Sequence, residues 1–64
     1  MDTEEVQSQL EDFVDNLGLS KVVELLIGVC YDKAEHIRSN WQDKDAARLW
    51  EVDAVQLDKL ELEN

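Results

Sequence analysis

Proline is absent from this sequence, glycine occurs twice, and cysteine and histidine occur once each. Each shortage removes a class of structure. Cys30 has no partner for an intrachain disulfide, and one cysteine with one histidine falls short of the three or four ligands of a zinc site. No metal or other cofactor is expected. Basic residues are also scarce: 6 Lys and Arg stand against 16 Asp and Glu, a formal charge of −10. Phosphate backbones and anionic lipids are held by a local positive field, so direct binding to nucleic acid or to a membrane is not expected. A basic protein partner fits the charge. The longest mostly apolar run, residues 22–31, is interrupted by Glu24 and is half the roughly twenty residues that a bilayer crossing needs. Residues 1–17 hold six acids and no base, the reverse of a secretory leader, and with the lone thiol this predicts a cytoplasmic protein.

With 64 residues the chain is read as one domain, close to the lower size for folding without staples. What the sequence does hold is helical periodicity. Val6, Leu10, Phe13, Val14 and Leu17 fall within a stripe about 100° wide on a helix. Asp2 or Thr3 can cap its start, and Gly18 supplies the break at its end. A second helix is predicted over residues 20–40, with Ser20 as its N-cap. Val23, Ile27, Cys30, Ala34, Ile37 and Trp41 form a heptad seam along it, and Val22, Leu25, Leu26 and Val29 widen the apolar arc beyond what one neighbour covers. That helix is therefore read as central, packed on at least two sides. Asp43 is a good N-cap for a third helix over residues 44–62, whose inner face is Ala46, Leu49, Trp50, Ala54, Leu57 and Leu60. The alternative is one uninterrupted helix from residue 20 to 63, since no glycine or proline enforces the turn.

The fold expected is thus all-α: a small three-helix antiparallel bundle, with helices over residues 3–17, 20–40 and 44–62, dimerising into a larger helical bundle. Pairing the second and third helices antiparallel sets Ile37 beside Trp50, Ala34 beside Asp53 and Ala54, and Cys30 beside Leu57. Asp53 then falls on the apolar face, where a carboxylate is costly unless paired, and Lys33 is its expected partner in an interhelical ion pair. His36 is expected to meet Asp32 one turn earlier as an ordinary surface pair. Cys30 reads as a small buried hydrophobe, since His36 projects about 120° away around the same helix. Trp41 and Trp50 are expected to seal the end of the core.

Residues 17–25 are superficially similar to the modified-serine region of acyl carrier proteins. In that family an Asp-Ser-Leu precedes Val-Glu-Leu at a fixed distance. Here Leu19 and Lys21 flank Ser20, and Val23-Glu24-Leu25 comes one residue early, so membership is not adopted.

No nucleophile–base pair, phosphate loop or metal cluster is recognisable, and catalysis is not expected. The leading expectation is a small acidic protein–protein interaction or regulatory module, homodimeric, that also binds an unknown protein. Leu25, Val29, Val52, Val55 and Leu62 are the candidate contact residues, being apolar side chains in excess of the hairpin core. The alternatives are a carrier or small-ligand protein centred on Ser20 or Asp53, and an acidic nucleic-acid mimic that occupies a basic protein.

Overall fold

The computed structural model describes residues 2–64, which form three helices and no strand: α1 (Thr3–Leu17), α2 (Leu19–Asn40) and α3 (Lys44–Asp58). None of the helices is long and apolar enough to cross a membrane. The first reversal takes a single residue. Asp2 caps α1 by accepting the Glu4 N–H at 3.1 Å, and at the other end the Gly18 N–H reaches the Val14 carbonyl at 2.8 Å. Gly18 itself adopts φ 86°, ψ 151°, a region essentially reserved for glycine, and α2 starts at once. The helix therefore begins one residue before Ser20, and Ser20 is not its cap. Instead its N–H and its hydroxyl both donate to the Asn64 carbonyl oxygen, each at 2.7 Å.

A turn at residues 41–43 separates α2 from α3, so the single-helix alternative does not hold. Asp43 accepts the Ala46 N–H at 3.0 Å and caps α3, and Gln42 makes the reversal with φ 52°. So short a turn folds α3 back antiparallel on α2, and these two form the main packing of the molecule. Their contact is built on alanine. Ala34, Ala47 and Ala54 are almost completely buried and Cys30 is buried beside them. Side chains this small let two helices approach closely. The Arg38–Glu51 ion pair crosses between the helices, within a residue or two of the level expected for Ile37 and Trp50.

Three expectations for α3 need correction. Its buried side is turned by about 60° from the predicted face: Ala47 is inside, while Leu49 is 67% exposed. Close alanine packing selects this phase, because Leu49 at the contact would hold the helices apart. Asp53 is carried off the core into water by the same rotation, and Lys33 is exposed too. Neither forms an ion pair among the described residues, so the Lys33–Asp53 bridge is replaced by Arg38–Glu51. Finally, α3 ends at Asp58, four residues short of the predicted 62. The Lys59 and Leu60 N–H groups close a tight last turn on Gln56 and Leu57, and the tail then runs back to Ser20. Leu60 and Leu62 thus lie in that tail, in a hollow shared with Val23, Ile27 and Leu57, so Leu62 is not an outward residue of α3.

The bundle is incomplete on its other side. α1 packs lightly on α2 and not at all on α3. The molecule measures 37 × 30 × 14 Å and its radius of gyration is 13.8 Å, against about 11 Å for a compact chain of this length. It is a flat plate of helices rather than a closed bundle.

Candidate interaction surface

On α2 the seam that receives α3 and the stripe of Val22, Leu25, Leu26 and Val29 lie about 120° apart. α3 serves the first. The second was read as wider than one neighbour covers, and α1, diverging from the Gly18 turn, covers only its start. Between them runs a groove of about 280 Å³ lined only by apolar side chains: Leu10, Phe13 and Leu17 from α1, and the four stripe residues from α2. Phe13 is 54% exposed, Leu25 51% and Val29 48%. The physical cause lies in the turn. One residue fixes the direction of α1, and no contact with α3 pulls it down.

The acids of α1 are segregated from this groove. Glu4, Glu5, Glu11, Asp12 and Asp15 occupy the half of the helix opposite Leu10, Phe13 and Leu17, by 100° per residue. The helix has a bare apolar side and a bare anionic side.

Val52 and Val55, the next two predicted contact residues, are also exposed, but at a different place. They line a shallow hollow with Arg38, Lys44 and Arg48, together with Asp45 and Glu51. Three of the six basic residues of the chain thus gather at the turn end of the hairpin. Trp41 stands nearby on the turn and is 73% exposed. It does not seal the core as expected, because alanines at the contact leave no gap for an indole, and Trp50 is only partly covered. The five predicted contact residues therefore divide among three places: Leu25 and Val29 in the groove, Val52 and Val55 at the basic corner, and Leu62 in the tail. Leu49 was assigned to the inner face of α3 and is in fact outside, and the α1 stripe residues Leu10, Phe13 and Leu17 are exposed as well. The signal for the α1 residues was the width of the α2 arc, which a helix with a one-residue tether could not cover.

Cys30 is buried and takes part in no disulfide. His36 meets Asn40 rather than Asp32: the Asn40 amide lies 3.0 Å from His36 Nδ1 and donates to the His36 carbonyl at 3.1 Å. Among the described residues, no three His, Cys, Asp or Glu side chains come together as a metal-binding group would.

The total accessible surface is 5496 Å². A compact monomer of 7.4 kDa exposes about 4,200 Å², so roughly 1,300 Å² lies open beyond that of a closed fold. Comparison of the chain with known protein families, with curated proteins and with solved structures gives no match in any of the three.

Proposed function

We propose that this chain is a small acidic, non-catalytic protein-interaction module that binds other proteins, a second copy of itself included, through apolar surface its own fold leaves open. The observation carrying this reading is that Leu10, Phe13, Leu17, Leu25, Leu26 and Val29 line one groove and each stays about half exposed, on a molecule whose total surface exceeds that of a compact monomer by about 1,300 Å². Monomers rarely expose contiguous apolar patches of more than a few hundred Å² unless something covers them. A carrier role is less well supported, since the Ser20 hydroxyl that would be modified is held by Asn64.

Binding of a different protein is assigned to the corner of Val52 and Val55, where an apolar centre is rimmed by charge of both signs, the usual anatomy of a non-obligate interface. Tagged parent protein and Val55→Glu are compared by capture from native lysate at modest salt. The reading expects a stoichiometric partner on the parent that the variant loses. Identical protein sets on both overturn it.

A further inference from the structure

We propose that residues 60–64 are a releasable strap: they cover the end of the α2–α3 seam away from the 41–43 turn, are clasped by Ser20, and lift off while the helices stay folded. This goes beyond the interaction reading and does not rest on it, because the opening is a property of the chain alone. Closed, the strap withholds Val23, Ile27 and Leu57 from other proteins; open, it presents them.

What covers this place is the chain itself. Leu60 and Leu62 lie with Val23, Ile27 and Leu57 around a hollow of about 570 Å³, and those three helix residues are half-buried. The hold on the strap is weak in three respects. Beyond Leu60, the hydrogen bonds that tie it to the helices both come from Ser20, whose N–H and hydroxyl meet at the Asn64 carbonyl oxygen, each at 2.7 Å. Leu60 is still 53% exposed and Leu62 39%, so lifting them forfeits only part of the burial of a leucine. Glu24, Asp58 and Glu61 line the same hollow with no base on its walls, and like charges brought together oppose closure. The α2–α3 contact depends on other residues. Ala34, Ala47 and Ala54 are almost completely buried and none of them lines the hollow. A segment with one anchor and few buried contacts opens locally, ahead of global unfolding.

Ser20 reports the strap directly. It is the second residue of α2, so its N–H has no acceptor within the helix, and the Asn64 carbonyl takes that place. Amide hydrogen exchange of the full chain, followed by NMR, is expected to show Ser20 slowed at least about ten-fold relative to an unstructured peptide, yet at least about ten-fold faster than Ala34. Urea below the unfolding range is expected to speed exchange at Ala34 and leave Ser20 nearly unchanged, since lifting the strap exposes little surface. In Leu62→Glu the Ser20 protection is lost while Ala34 keeps its own, and a neutral paramagnetic agent in the water broadens the Ile27 and Leu57 methyls more than in the parent. Ser20 exchanging at the unstructured rate in the parent would mean that there is no clasp. Ser20 as slow and as urea-sensitive as Ala34 would mean that strap and helices open as one. Either result overturns the strap, and so does a folded Leu62→Glu chain that keeps Ser20 protected. Should Leu62→Glu unfold, Ala34 loses its protection too, and the measurements on the unaltered protein decide. None of these touches the lysate comparison, which tests the interaction reading separately.

Discussion

Two residues set where the chain reverses, and they are matched unequally to their backbones. Gly18 holds φ 86° with open space around a hypothetical Cβ, so a side chain there would meet backbone strain rather than crowding. Gln42 holds φ 52° without being glycine, a conformation that costs an L-residue about 1–2 kcal/mol. Opposite mutations should therefore have opposite signs. Gln42→Gly is expected to stabilise by about 0.5–1 kcal/mol, the relief being partly offset by the entropy of a freer unfolded chain. Gly18→Ala is expected to destabilise by about 1–3 kcal/mol. Urea unfolding at a fixed protein concentration measures both, since self-association would otherwise move the midpoint. A destabilised Gln42→Gly would mean that the glutamine side chain holds the turn.

Among the helices, α3 is the clearest test of packing, because its predicted and observed faces differ. The observed contact makes Ala47 a position without room and Leu49 a position without neighbours to lose. Ala47→Leu should cost about 1–3 kcal/mol by overpacking, while Leu49→Ala should change stability by less than about 0.5 kcal/mol. The predicted face would reverse that order, and thermal unfolding of the two variants decides between them. Helix existence, the Asp2 and Asp43 caps and the antiparallel hairpin were legible because each rests on local chemistry: periodicity, a capping carboxylate, a short turn. The phase of α3 was not. Leucine outranks alanine in any count of apolar residues, yet alanine makes the contact because it allows the closest approach of the helices. The oddity of Asp53 was a symptom of the wrong phase, since a carboxylate in the middle of an apolar face is what a helix drawn about 60° out of register displays. Nor was the early end of α3 visible, because no glycine or proline marks it. What ends it is the return of the tail to Ser20.

For the molecule as a whole, the arc of α2 was legible as too wide for one neighbour, and this located Leu25 and Val29. That α1 would leave its own apolar side open was not legible, because local pattern says nothing of how a helix is aimed. Charge acts at the same scale. At 10 mM ionic strength the screening length is about 30 Å, comparable with the 37 Å long axis, and at 150 mM it is about 8 Å. The charge of −10 therefore repels itself across the entire molecule at low salt and only between neighbours at physiological salt. Screening also weakens the Lys21–Glu24 and Arg38–Glu51 pairs, but exposed pairs contribute about 0–1 kcal/mol each and are outnumbered by unpaired acids. The sign is thus stabilising. Raising NaCl from 10 to 150 mM should raise the melting temperature by about 5 °C, equivalent to roughly 1 kcal/mol in a domain of this size. An equally concentrated neutral osmolyte should not reproduce a shift of that size. A melting temperature that falls with added salt would mean that the few ion pairs outweigh the repulsion, and that the acids of α1 are engaged rather than solvated.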